Sequence, residues 1–260
     1  MGKHGMECSL LNTLFQQWRR TVLFALIAVF LSAACAPTAR IPLETIHYQR
    51  PAGGEHRLLI VFLPGNGDKP TVFEKRGLVD AVRSRGIDAD MVAVNAHLGY
   101  YINGSFIRRL KDDVIGPAQA KGYERIWLAG NSLGAYGSLS YLREHREDIS
   151  GVVLLGPFLG DKKLLKAVRK AGGLQQWNPG PITAKDWQEA LMLLIKDYEK
   201  HPDRYPPLYL GYGASDRFSA SQQFLAGMLP PDRVIVLKGG HTWWTWRAIW
   251  DQFLDRGFIK

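Results

Sequence analysis

Ser132 stands in Gly130-Asn131-Ser132-Leu133-Gly134, which has the spacing G-x-S-x-G. A serine hydroxyl is a weak nucleophile until a neighbouring base takes its proton, and that base works best when an acid orients it. Seven histidines are available for the first role. His4 lies near the N-terminus, His145 and His201 stand in or after helix-like stretches, and His47 and His56 precede or open the first core run. His241 differs: it follows VIVLKGG directly, at the end of the last apolar run, where two glycines let the chain turn. For the acid, Asp216 in LYLGYGASDRF comes just after the fifth apolar run, and Asp161, after the fourth, is the second choice. Each of these residues also has a plainer use. Asp216 is well placed for a helix N-cap, His241 for a surface loop, and Ser132 for a glycine-rich turn.

Side chains so far apart in sequence need a scaffold that gathers them. From residue 43 onward, short apolar runs alternate with amphipathic stretches. HRLLIVFLPGNG, IDADMVAVNA, ERIWLAG, GVVLLGPFLG, PPLYLGYG and DRVIVLKGG read as six strands. Helices are predicted over Val72–Arg85, Ser105–Ala120 and Leu133–His145. Strands separated by helices imply βαβ units and a parallel sheet. Near-continuous hydrophobicity fits strands buried on both faces. The long interval between Gly160 and Pro206 carries Trp187, Ala190, Leu191, Leu194, Ile195 and Tyr198 at helical spacing. Thr183 and Asp186 ahead of them read as a capping box, and Pro202 as the stop. An insertion there lies over the carboxyl edge of the sheet, so residues of about 161–206 read as a cap within a domain spanning 43–258.

Five letters matching G-x-S-x-G carry little in a chain with 27 glycines; the context carries more. A buried run, Arg125 to Ala129, leads into Ser132 and a helix leads out, and a serine on such a turn needs small residues two before and two after it. Gly130 and Gly134 meet that need. The helix N-terminus beside Ser132 favours developing negative charge.

With Ser132, Asp216 and His241 in that order, each after a different parallel strand, the chain resembles the α/β-hydrolase superfamily over roughly residues 43–258. The resemblance implies an α/β-hydrolase fold: a mostly parallel central sheet, helices on both faces and a helical cap. It implies a Ser–His–Asp enzyme that works by acylation and hydrolysis of a carboxylic ester or thioester. It also implies an oxyanion hole made by two backbone amides, that of Leu133 and one from the loop after the first strand. Many relatives carry His-Gly-x in that loop, whereas this chain has Pro64-Gly65-Asn66. Asn66 is then the second donor, with Gly67 the alternative. No metal or organic cofactor is implied. An acyltransferase with the same triad, or a non-catalytic envelope protein that keeps the fold for binding a ligand, are the competing readings.

His97, Tyr100 and Tyr101 lie in the loop after the second strand, near the expected pocket, with packing as the alternative. Trp243, Trp246 and Trp250 fall at helical spacing and read as core before they read as an acyl-binding wall. KKLLKAVRK, residues 162–170, places five cations around Leu164, Leu165 and Val168. It reads as a solvated cap helix, with a helix lying on anionic lipid as the hypothesis beside it.

The N-terminus follows another logic. Arg19 and Arg20 precede an apolar run from Val22 to Leu31, followed by small residues and Cys35, the order of a secretory signal over residues 1–34. The run is short of the roughly 20 residues that span a bilayer, although an uncleaved anchor stays open because no charge intervenes before Arg40. Leu31-Ser32-Ala33-Ala34-Cys35 resembles a bacterial lipobox, with its leucine one position early. That implies lipidation of Cys35 and a protein held at the cell envelope membrane, with ordinary cleavage after Ala34 as the alternative. Cys8 and Cys35 are the chain's two cysteines, so the domain beyond them stands on its core without a disulfide. The net charge of +9 raises nucleic acid as a partner, but neither zinc-type cysteine spacing nor an RNA-binding signature accompanies it, and none is expected.

Overall fold

Aliphatic and β-branched runs, each closed by glycine, proline or polar residues, form the seven strands of one sheet in the computed structural model, which describes residues 38–50 and 57–259. These are β1 (Thr45–Tyr48), β2 (Leu58–Leu63), β3 (Asp90–Val94), β4 (Arg125–Asn131), β5 (Gly151–Leu155), β6 (Leu208–Gly213) and β7 (Val234–Leu237). Their order is β1-β3-β2-β4-β5-β6-β7. Only β1 is antiparallel to its neighbour. Every residue of β2, β3, β5 and β6 is buried, which is why those strands read as unbroken apolar runs. β1 escapes that reading because it is a short, half-exposed edge strand.

Side-chain alternation along β2 splits the interior in two. Leu59, Val61 and Leu63 face one core layer, and Leu58, Ile60 and Phe62 face the other. The second layer is closed by α1 (Val72–Lys75), α2 (Leu78–Ser84) and, at the far end of the chain, α10 (Trp243–Asp255). The first is closed by α3 (Leu98–Ile102), α4 (Phe106–Leu110), α5 (Gly116–Ala120), α6 (Leu133–His145), α7 (Lys162–Lys170), α8 (Trp187–Lys200) and α9 (Ser219–Ala226). The mostly parallel sheet with helices on both faces is therefore present.

Three local expectations need correction. The helix predicted over Val72–Arg85 is divided at Gly77, whose φ of 77° leaves the helical region. The helix predicted over Ser105–Ala120 widens into a π-turn at Lys111–Ile115. That turn falls just before Pro117, which has no N–H to continue the α ladder. Thr183 and Asp186 form no capping box, since α8 starts at Trp187 and the Thr183 hydroxyl caps nothing there. Instead the Asp186 carboxylate accepts from the Thr183 amide and hydroxyl at 2.7 and 2.8 Å, closing a turn ahead of the helix.

Between β5 and β6 the chain makes α7 and α8. Asp161 caps α7 by accepting from the Leu164 amide at 2.8 Å, so the alternative acid is spent on a helix end. Leu164, Leu165 and Val168 are buried in the first core layer. The apolar face of α7 is thus occupied, which removes the insertion of that face into lipid. Among the described residues no helix is long and apolar enough to cross a membrane; the signal-like segment and Cys35 lie outside them.

Candidate active site

Strand β4 delivers Ser132 to the carboxyl edge of the sheet. Its amide donates to Leu155 O at 2.9 Å, the last rung of the β4–β5 ladder. The next residue starts α6. The turn between them holds Ser132 at φ 51°, ψ −110°, and it is the one non-glycine residue with positive φ among those described. Such a backbone costs on the order of 1–3 kcal/mol and persists only where its surroundings enforce it. Here the enforcement is close packing: a Cβ on Gly134 would lie 1.9 Å from Leu63 O, and one on Gly130 would lie 2.3 Å from Gly134 O. Side chains at either position would push α6 away from the sheet and release the turn.

Asp216 follows β6 and His241 follows β7, so both reach the same edge. His241 Nδ1 lies 2.8 Å from Asp216 Oδ2, and His241 Nε2 lies 2.9 Å from Ser132 Oγ. The other Asp216 oxygen accepts from the Phe218 amide at 2.8 Å. The Asp216 side chain has no exposed surface. Burial by itself would raise its carboxyl pKa, but the bonds from His241 and the Phe218 amide outweigh it and hold the group below the usual carboxylate range. The imidazole is flanked edge-on by Phe218 at 5.0 Å and by Trp246 at 4.8 Å, which limits its rotation. A ring held this way, with a carboxylate at one nitrogen and a hydroxyl at the other, can take the hydroxyl proton and return it.

The loop after β2 borders the same place. Asn66 and Leu133 line a cleft with Ser132, and Leu133, opening α6, has an N–H with no acceptor within the helix. A residue that sequence reading passed over fixes this loop. Asn131 is fully buried; its Oδ1 accepts from the Gly65 amide at 3.1 Å and its Nδ2 donates to Asp68 Oδ2 at 3.2 Å. Trp243 Nε1 donates to the other Asp68 oxygen at 3.4 Å. Asn131 is a variable position of G-x-S-x-G, so no pattern singles it out.

Tyr100 and Tyr101 line the cleft, but His97 does not. His97 caps α3, its Nδ1 accepting from the Gly99 amide at 3.2 Å. Trp246 and Trp250 lie in the core, Trp243 packs against it, and none of the three lines the cleft. Among the described residues, His145, Glu147 and Asp148 bring three metal-ligand atoms within 4.8 Å of one another. Asp148, however, already accepts from Lys111, Tyr141 and Gln119.

Known structures share the architecture of the sheet and its helices. FphF, a fluorophosphonate-binding serine hydrolase of Staphylococcus aureus solved with substrate bound, aligns over 82% of this chain and 98% of its own, with a TM-score of 0.59 and 13% identity. The S-formylglutathione hydrolase FrmB from Staphylococcus aureus aligns over 84% and 97%, with a TM-score of 0.55 and 12% identity. The fold is that of the α/β-hydrolases. Est1E from Butyrivibrio proteoclasticus, solved with ferulic acid, aligns over 84% and 96% at 14% identity with a TM-score of 0.50. At these identities the likeness speaks for the α/β-hydrolase fold alone. No protein-family model matches the sequence, and no curated protein matches it.

Proposed function

We propose that this α/β-hydrolase-fold protein is a serine hydrolase that cleaves a carboxylic ester or thioester through an acyl-enzyme on Ser132. The observation that carries the reading is the unbroken relay from Ser132 Oγ through His241 to buried Asp216, with links of 2.9 and 2.8 Å. In the first step His241 Nε2 takes the Ser132 proton as Oγ attacks the substrate carbonyl. Asp216 holds the ring and stabilises the imidazolium that results. The Asn66 and Leu133 amides donate to the tetrahedral oxyanion, and the start of α6 adds its favourable dipole. His241 then gives its proton to the departing alkoxide or thiolate. Water repeats the sequence on the acyl-enzyme, releasing the acid and restoring Ser132.

The test pairs a fluorophosphonate probe with p-nitrophenyl esters, using the wild type and Ser132→Ala. The wild type should be labelled and turn the esters over; Ser132→Ala should do neither, with kcat down by about 10⁴-fold or more. A folded wild type that neither reacts nor turns over would sink the reading. Adding an alcohol acceptor and analysing products separates hydrolysis from acyl transfer.

The same reading places the enzyme at the bacterial cell envelope, exported and anchored through lipidated Cys35. Its support is the arginine pair, apolar run and small residues that precede the cysteine. The protein should incorporate radiolabelled palmitate and sediment with membranes, and Cys35→Ala should lose the label. An unlabelled wild type overturns the lipid anchor.

A further inference from the structure

From Ser132 the cleft follows α6 to its far end. Leu133, Tyr136, Ser140, Arg143 and Glu144 line it, spaced as one face of a helix requires. Across the gap, Trp187, Ala190, Leu193, Leu194 and Asp197 of α8 line the same cleft with the same periodicity. Two contacts fix the direction of α8. Trp187 meets Tyr136 edge-on at 5.0 Å. Ten residues on, Asp197 accepts from the Tyr205 hydroxyl, and the Tyr205 ring lies 5.0 Å beneath the Arg146 guanidinium at the end of α6. The two helices therefore run side by side in the same direction, and the space between them is a trough. At 1.5 Å per residue, Leu133 to Glu144 spans about 16 Å and Trp187 to Asp197 about 15 Å.

The lining changes along that length. Tyr136 and Trp187, in contact near the Ser132 end, are followed by Ala190, Leu193 and Leu194 of α8, with Ile107 from α4, so the lining stays mainly apolar, interrupted by Ser140, up to the far end. Charge stands at the two ends: Arg217 beside the triad, and Arg143, Glu144 and Asp197 at the far end. The whole cleft, which extends beyond the trough to Leu98, Ile102 and Phe158, has a volume of about 1240 Å³. A compact acyl group would leave the exposed parts of Tyr136, Trp187, Leu193 and Ile107 facing water.

We infer that the acyl group is a single unbranched alkyl chain of about ten to twelve carbons, laid between α6 and α8 with its carbonyl at Ser132. The length follows from carbon–carbon bonds of about 1.5 Å, which in a zigzag advance about 1.3 Å per carbon. The charged far end sets the limit, because further methylenes meet Arg143, Glu144 and Asp197 instead of apolar wall. The inference rests on the acyl-enzyme reading above, and it adds which substrates that site selects.

The experiment measures kcat/KM for p-nitrophenyl esters from two to sixteen carbons, on the wild type, Ser140→Trp and Leu193→Trp. Specificity should climb by up to about fourfold per methylene buried, level off near ten to twelve carbons, and gain nothing beyond. Each tryptophan should block the trough midway from opposite walls, cutting the twelve- to four-carbon ratio by about tenfold or more. A flat wild-type profile, or an unchanged ratio in both folded variants, overturns the inference while hydrolysis itself stands. If no ester turns over at all, the hydrolase reading fails, and the trough is judged by binding. Ser132→Ala should then release a fluorescent fatty acid to laurate far more readily than to butyrate, and equal competition by the two acids overturns the inference.

Discussion

Asn131 sits where two requirements meet. Its backbone ends β4 and positions Ser132, while its side chain grips the Gly65–Asp68 loop that carries the Asn66 amide. Asn131→Ala leaves the Gly65 N–H without its buried acceptor, which costs about 1–3 kcal/mol of stability. It also frees the loop to drift from the position a developing oxyanion would occupy. Kinetics separate the two effects. Losing an oxyanion donor outright costs about 10²–10³ in kcat, so a displaced donor should lower kcat by about tenfold to a hundredfold with little change in KM. A purely structural role for Asn131 would lower the unfolding midpoint and leave kcat per folded molecule intact.

Helix α6 is anchored at both of its ends. At its start it is pinned by the Ser132 turn. Past its end, Asp148 accepts from Lys111 Nζ at 2.7 Å, Tyr141 Oη at 2.6 Å and Gln119 Nε2 at 2.9 Å, joining α6 to the π-turn segment. Burial pushes the Asp148 carboxyl up, but the bonds from Lys111, Tyr141 and Gln119 outweigh it and hold it below its usual range. A carboxyl lowered on folding contributes stability that is fully present above its unfolded pKa of about 3.9. That contribution disappears as pH falls through the lower folded value. Asp148→Asn should therefore unfold more easily in urea at pH 7, by about 1–3 kcal/mol, and the gap from wild type should narrow below pH 4. A gap that holds constant into acid would show that shape, not charge, gives Asp148 its role.

For the whole molecule, what the sequence disclosed follows from burial. Five strands were legible because parallel strands covered on both faces have nearly no polar positions, and β7, a half-exposed edge strand, because Val234–Leu237 is wholly aliphatic; the ends of those strands pointed to Ser132, Asp216 and His241. β1 was hidden by its half-exposed pattern, and the break in the first long helix by a glycine that local spacing does not flag as a turn. The trough was out of reach for a different reason: each helix shows its apolar face in sequence, but which stretch of that face stays open depends on how α6 and α8 lie together. Asn131 was invisible because its importance comes from a loop 66 residues away.

One continuous helix carries the Ser132 turn at its start and forms one wall of the trough along its length, so under the acyl-chain inference it acts as a ruler. Positions 136, 140 and 144 are graduations on it, each about 6 Å further from Ser132. On that inference, changing the side chain at one graduation should reset the longest chain admitted and leave Ser132, His241 and Asp216 where they are. Inserting or deleting a residue within α6 would instead rotate every later graduation by about 100° into the core. If the inference holds, point substitutions on α6 should shift chain-length preference, whereas a change in the length of α6 should disrupt the whole wall.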